Sequence, residues 1–246
     1  MKDKICDIVI IGGGPGGVGS AIEASAHNIG EILLIEKTEN HSNTIRKYYK
    51  DNKRVDKDYK GQVTTLQGNV EFFVVTTETT LDYFNDLLDT EKIDSIFNTE
   101  VEKIIRNKQT DLLEIHTSKG IIQTKNTIIA IGKMGKPNKP DYKLPPSIKT
   151  QINFNLDKCS SNEKILIVGG GNSAAEYAYD LADLNNNITL VYRKAEFSRL
   201  NETNENILKK YAGEERLRLR MNTDIISLEN EDGKVRVEFN DGYSVV

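Results

Sequence analysis

Two glycine runs carry the most specific chemistry in this 246-residue chain. Gly12-Gly13-Gly14-Pro15-Gly16-Gly17 has the spacing G-x-G-x-x-G, and Gly169-Gly170-Gly171-Asn172-Ser173-Ala174 repeats it with alanine in the third place. In such a run the first glycine permits a tight turn and the second lets the backbone approach a pyrophosphate. The third small residue lets a helix pack closely on a strand. The helix that follows offers unbonded N–H groups and the positive end of its dipole to phosphates. Glu36, about 20 residues on, stands where a carboxylate accepts from ribose hydroxyls. The second copy offers no acid there. It has Tyr192-Arg193-Lys194, a basic pair that suits a ribose 2′-phosphate better than a 2′-hydroxyl.

The elements needed to hold these residues are readable around them. Asp7 to Ile11 is a β-branched run suited to a strand buried on both faces, Val18 to His27 reads as a helix, and Glu31 to Ile35 as a second strand. Lys164 to Val168 is again a strand, opening into a helix that continues to about Leu184, with a further strand at Ile188 to Val191. The repeat extends past the glycines. Phe97 to Val101 opens a segment with a break at Asn107 to Asp111, a turn at Lys119-Gly120 and a strand ending in Ile128 to Gly132. Met221 to Ile225 opens a similar one, with breaks at Glu231 to Gly233 and Asp241-Gly242. Both segments read as β-meanders, and the second stops before an equivalent of Ala130 to Gly132. Lys136 to Pro146 holds four of the five prolines, as an extended linker would. The predicted fold is α/β, with two Rossmann-like dinucleotide-binding domains, each a parallel sheet plus a β-meander. The first domain is placed at 1–135, a linker or crossover at 136–160, and the second domain at 161–246.

Composition narrows the function classes. With 33 Lys+Arg against 37 Asp+Glu, the net charge of -4 argues against a surface for nucleic acid or anionic lipid. No run approaches the roughly 18 apolar residues of a membrane span, and no signal-peptide core precedes the first strand, so a cytoplasmic protein is expected. Two cysteines in no C-x-x-C and three scattered histidines predict neither a disulfide framework nor a metal site.

At this level of detail the chain resembles the two-dinucleotide-binding-domain flavoproteins of the thioredoxin reductase type, over nearly all its length. The resemblance implies FAD at the first copy, through Gly12, Gly14, Pro15, Gly17, Glu36 and Lys37. Gly61 to Thr65 is similar to the family's G-Q-L-T-T stretch along the flavin, bringing in Gln62 and Thr65. Val101 falls where the family places a residue against the adenine, and Thr127 to Gly132 resembles its A-T-G-type motif, ending at Gly132. NADPH is implied at the second copy, through Gly169, Gly171, Asn172, Ser173, Ala174 and Glu176. Arg193, Lys194 and the downstream Arg199 are similar to the family's phosphate grip. Two departures stand out. Only Cys159 lies where the family has its active C-x-x-C, so an internal dithiol is not available for thioredoxin reduction. The C-terminal G-D segment that returns to the FAD domain is not in this sequence, so the full protein is longer or flavin binding is weakened. Relatives without the dithiol include ferredoxin:NADP reductase-like and bacillithiol-disulfide reductase-like proteins. The latter carry a Cys inside the first glycine motif, where Gly16 stands here.

The resemblance thus implies a flavin-dependent oxidoreductase that passes hydride from NADPH to FAD and then electrons to a small-molecule or small-protein acceptor. A homodimer is compatible with it. Hydride transfer needs no side chain as acid or base, so no catalytic residue is nominated. The opposing reading is a non-catalytic dinucleotide-binding protein or redox sensor. Among the remaining residues, Cys6 reads as a packing residue and Cys159 as an inert thiol. His27 closes the first helix, His116 lies on a strand, and His41 belongs to a solvated loop that a cofactor could approach. Arg46 to Lys60 reads as a solvated polar face, the alternative being an anion-attracting rim close to the flavin where an acidic protein or substrate docks, and Arg216, Arg218 and Arg220 as the wet side of a strand.

Overall fold

Strand β1 (Cys6–Ile11) has its last four residues buried, as expected of a β-branched run covered on both faces. It leads through the glycine turn into helix α1 (Pro15–Ala26), which starts on a proline and buries Gly17, Val18, Ala21, Ile22 and Ala24. Strand β2 (Ile32–Ile35) then pairs with β1 in parallel, from Ile8 opposite Ile32 to Ile11 opposite Ile35. The computed structural model describes residues 5–55, 65, 67–132, 139–156 and 158–245. These fall into two compact units, one before and one after the segment 133–138.

The first unit continues with helix α2 (Asn43–Tyr48) and two short antiparallel strands, β3 (Arg54–Val55) and β4 (Val75–Thr76). Helix α3 (Thr77–Thr90) and strand β5 (Asp94–Ile96) follow, neither evident in the sequence. A threonine-rich first turn disguises α3, although the Thr76 side chain caps it by accepting from the Thr79 amide. Strands β6 (Val101–Arg106), β7 (Leu113–Thr117) and β8 (Gly120–Ile129) form the expected meander. The two parts are a single sheet in the order β5-β2-β1-β8-β7-β6. Strand β8 belongs to both: residues 120–124 run antiparallel to β7, and residues 124–129 run parallel to β1. One face of this sheet packs α1 and α3, with Ile8, Ile10, Val18, Ile22, Leu34, Phe84 and Leu88 in the core. On the other, Val9, Ile11 and Ile35 cluster with Ile115 of β7. Full burial of each such side chain contributes about 1.5–3 kcal/mol, more than a typical hydrogen bond at about 0.5–1.5, so the core sets where α1 and its turn sit.

The second unit repeats the plan with different joinery. After a 3-10 turn at Pro146–Gln151 come β9 (Lys164–Val168), α4 (Asn172–Asp183), β10 (Asn187–Tyr192), α5 (Glu202–Gly213) and β11 (Leu217–Met221). The parallel sheet has the order β11-β10-β9. Strands β12 (Ile225–Glu231), β13 (Lys234–Phe239) and β14 (Ser244–Val245) form a separate antiparallel sheet, with turns where the sequence places them. Its Ile225, Val237 and Phe239 cover Val191 of β10. The stretch expected to be linker is partly structured, because Ile148 in the 3-10 turn is fully buried.

Candidate functional site: two glycine turns

Each turn joins the first strand of a unit to an uncapped helix. Gly14 precedes α1 and Gly171 precedes α4, and neither helix has a side-chain cap, whereas α3 and α5 are capped by Thr76 and Asn201. Gly17 and Val18 donate to the Gly14 carbonyl, and Ala174 and Ala175 to that of Gly171, so it is the preceding amides of Gly16 and Asn172 that stand open to something outside the chain.

The glycines divide into two kinds. Gly12 has φ +106, and a Cβ there would lie 2.6 Å from the Ala130 carbonyl oxygen; at Gly17 it would lie 1.8 Å from the Gly12 oxygen. Both are demanded by the protein's own backbone. Gly14 and Gly171 are extended, with φ -76 and -107, a geometry open to any residue. A Cβ on either would meet nothing within 4 Å. Nothing internal calls for glycine there, so the space a side chain would fill is left in front of the helix amides, as a bound diphosphate requires.

In the first turn Gly13 N–H donates to Glu36 Oε2 at 2.7 Å, and the Ser42 amide donates to the Gly13 carbonyl at 2.7 Å. Glu36 is buried. Its Oε1 accepts from the amide and hydroxyl of Thr38 at 2.9 and 2.8 Å. Three protein bonds thus hold a carboxylate that can take about four, leaving one Oε2 acceptor position for a ribose hydroxyl. The Thr99 amide donates to the Glu36 carbonyl at 3.0 Å, which brings the start of β6, and Val101, toward the same end of the sheet. Ala130 donates to the Ile11 carbonyl at 2.8 Å, so the segment leading to Gly132 (φ +69) runs beside Gly12. Lys37 is exposed, and Thr65 is exposed and outside any regular element. Gln62 lies outside the described residues.

His41, expected in a solvated loop, is buried at 3% exposure. Its Nε2 lies 2.8 Å from Asn85 Oδ1 and 3.1 Å from an Arg46 nitrogen, and Arg46 Nε donates to the His41 carbonyl at 2.9 Å. Burial pushes the imidazole below its ordinary value; the Asn85 bond opposes this and the Arg46 charge adds to it. The next residue, Ser42, is left-handed at φ 55 and sends its amide to Gly13, so this cluster buttresses the turn. The basic face that follows is less solvated than expected. Lys53 is buried with its ammonium 4.3 Å from the Tyr49 ring, and Lys47 lies 5.3 Å from the Tyr48 ring.

In the second turn a Cβ on Gly170 would come 2.3 Å from the Tyr192 ring, so that ring seats the turn. Tyr192 also stacks on Phe197 at 5.5 Å, the planes 8° apart. Arg193 and Lys194 leave the end of β10 exposed, held from behind by Thr223 N–H to the Tyr192 carbonyl (3.0 Å) and Asn222 N–H to the Lys194 carbonyl (3.1 Å). Arg199 pairs through its backbone with Gly171 in an isolated parallel bridge. Gly169, Gly171, Ser173, Ala174, Arg193, Lys194 and Arg199 therefore gather at one end of the β9-β10-β11 sheet. Glu176 lies one turn further along the same helix. It is buried on α4, its Oε1 accepting from Asn204 Nδ2 at 3.1 Å, so its observed partner is α5. The roles of Tyr192, Phe197 and Asn201 depend on a loop that packs back on the turn, which no local motif signals.

Arg216 of the supposed wet strand face pairs with Asp183, and Arg220 lies against both the Phe239 and Tyr243 rings while pairing with Asp241. No disulfide joins Cys6 and Cys159, which belong to different units. Among the described residues there is no metal-ligating group of His, Cys, Asp and Glu, and no helix is long and apolar enough to cross a membrane.

A family model described as pyridine nucleotide-disulphide oxidoreductase matches residues 9–246. Ferredoxin–NADP reductase of Rickettsia rickettsii (strain Sheila Smith) is 36% identical over 113 residues, 44% of this chain and 33% of the relative. Ferredoxin–NADP reductase 1 of Bacillus thuringiensis (strain Al Hakam) is 26% identical over 202 residues, 80% of this chain and 54% of the relative. The matches thus span a third to about half the length of these curated relatives. Among solved structures, bacillithiol disulfide reductase from Bacillus cereus superposes with a TM-score of 0.77 at 19% identity, covering 98% of this chain and 74% of that one. Thioredoxin reductase from Lactococcus lactis gives 0.65 at 18% identity, covering 98% and 73%. These likenesses bear out the doubly Rossmann-like fold.

Proposed function

Because the chain belongs to the pyridine nucleotide-disulphide oxidoreductase family, we propose that its first glycine turn holds FAD and its second holds NADPH, with electrons passing on to a separate acceptor. When bound, the nicotinamide supplies hydride and the flavin receives it, chemistry that belongs to the cofactors. The chain's own part is binding and orientation. The amides of Gly16 and Asn172 and the positive ends of α1 and α4 face the diphosphates, Glu36 accepts from a ribose hydroxyl, and Arg193, Lys194 and Arg199 offer fixed positive charge to a 2′-phosphate. The observation that carries this reading is the pair of extended glycines, Gly14 and Gly171, whose missing side chains open space ahead of two uncapped helices.

The acceptor in this reading is a small redox protein or small molecule. Its support is the lack of a C-x-x-C around either free cysteine, together with relatives named as ferredoxin–NADP reductases. The test is the visible spectrum of the purified protein. Flavin absorbance that bleaches on anaerobic addition of NADPH supports the reading. Protein that stays colourless after incubation with FAD refutes the first-site assignment, and a bound flavin that NADPH does not reduce favours a binding protein without turnover.

A further inference from the structure

Helix α4 presents three polar side chains one turn apart on one face, Asn172, Glu176 and Tyr179, and all three reach the start of α5. Asn172 Oδ1 accepts from the Asn201 amide at 2.9 Å. Glu176 Oε1 accepts from Asn204 Nδ2 at 3.1 Å, and the Tyr179 hydroxyl donates to Asn204 Oδ1 at 3.2 Å. Burial, with the Glu176 charge beside it, pushes the Tyr179 phenol up and keeps it a donor. Asn201 in turn caps α5 by accepting from the Asn204 amide at 2.8 Å. The segment 193–201 between β10 and α5 is thereby closed at its far end. Within it, Leu200 is fully buried and Phe197 stacks on Tyr192, while Arg193, Lys194 and Arg199 are exposed. Among the described residues, none of these three cationic groups is held in an ion pair.

We infer that Asn172 is a positioning residue for the basic loop: its side chain latches the segment bearing Arg193, Lys194 and Arg199 to the glycine turn, coupling 2′-phosphate recognition to diphosphate recognition. This rests on the second turn being a nucleotide site that prefers a 2′-phosphate. Three like charges on a loop without regular structure repel one another and disperse unless the backbone is pinned. The Asn172 bond and the Gly171–Arg199 bridge are adjacent pins at the end nearest the turn. A residue that only touched the diphosphate would affect NADP+ and NAD+ alike. A latch for the basic loop affects NADP+ selectively, because NAD+ has no 2′-phosphate.

The experiment measures equilibrium dissociation constants of NADP+ and NAD+ by calorimetry, and amide hydrogen exchange of nucleotide-free protein, for wild type, Asn172→Ala, Asn172→Asp and Arg193→Ala. Losing one partly buried hydrogen bond predicts about 2- to 13-fold weaker NADP+ binding in Asn172→Ala. NAD+ should change less than twofold (roughly), and exchange at 199–201 should accelerate before any nucleotide is added. Asn172→Asp keeps the acceptor oxygen and should restore slow exchange at 199–201; its added charge beside the phosphates lowers affinity for both nucleotides, so this variant is read by exchange alone. Equal weakening of both nucleotides in Asn172→Ala, or an unchanged ratio, overturns the inference while Arg193→Ala still lowers the ratio. If wild type shows no preference for NADP+, or Arg193→Ala leaves the ratio unchanged, the 2′-phosphate reading itself falls and the inference with it.

Discussion

Substituting the two kinds of glycine should produce opposite failures. At Gly17 an alanine Cβ would stand 1.8 Å from the Gly12 carbonyl oxygen, a backbone atom that cannot rotate away. Overpacking of this kind costs about 1–3 kcal/mol, outweighing the roughly 0.5–1 kcal/mol that alanine gains over glycine inside a helix. For a chain of this size, each kcal/mol moves Tm by about 2–4 °C. Gly17→Ala should therefore lower the Tm of flavin-free protein by several degrees. At Gly14 the backbone is already extended and the added atom meets nothing. Gly14→Ala should leave Tm unchanged or raise it slightly, since reducing unfolded-state freedom is worth about 0.4–1 kcal/mol. Gly14→Val should fold equally well yet bind no flavin, because its branched side chain fills the space left for the diphosphate. The assay pairs thermal unfolding of the flavin-free proteins with flavin content after reconstitution. Comparing flavin-free forms matters, because bound ligand adds its own stabilisation. A Gly14→Val protein with wild-type flavin content would falsify the assignment. So would a Gly14→Val protein as unstable as Gly17→Ala, since the glycine would then be structural.

Three other expectations concern separate parts of the molecule. Arg193→Ala should weaken kcat/KM for NADPH by about tenfold, the lower end for a charge-assisted hydrogen bond given its exposure, and leave NADH nearly unchanged; an unaltered ratio of the two would show a merely solvated strand end. His41 is neutral in the folded protein and titrates below its ordinary value, so the unfolded chain takes up a proton first as pH falls through about 6.5. Its contribution to stability is thus full above that pH and declines below it, and urea unfolding of His41→Gln should show a flatter acid limb than wild type; equal limbs would count against it. Cys159→Ser should retain NADPH oxidation with artificial acceptors, and loss of turnover with flavin content and folding intact would place the thiol in the electron path.

What the sequence revealed was local. Gly12 to Gly17 and Gly169 to Ala174 announced themselves because a tight turn and close helix packing constrain residue type over a few positions. The meander breaks at Asn107–Asp111 and Glu231–Gly233 were equally plain, since turn residues interrupt alternating strands. Residues acting across long separations were hidden. His41 reads as a polar loop residue until Asn85, 44 positions on, supplies its partner. The same holds for Asn201, whose amide finds Asn172 only after β10 and its loop have folded back. Glu176 reads by motif as a nucleotide contact, and its bond to Asn204, 28 positions on, is not legible in that motif.

The double duty of β8 has a consequence for biosynthesis. Strand β1 leaves the ribosome well before β8, one of its two neighbours, and Thr127 Oγ1 bonds the Val9 carbonyl across 118 residues. At about 5–20 residues per second, that gap lasts about 6–24 s. Throughout it, β1 has one open edge, and Gly12 lacks the Ala130 backbone that presses against it. The second turn waits far less, because β9, α4, β10, α5 and β11 are consecutive in the chain and complete their sheet without any later strand. The first turn to be made is thus the later to be finished relative to its own emergence. A β1 edge left exposed on the nascent chain is where mispairing would begin.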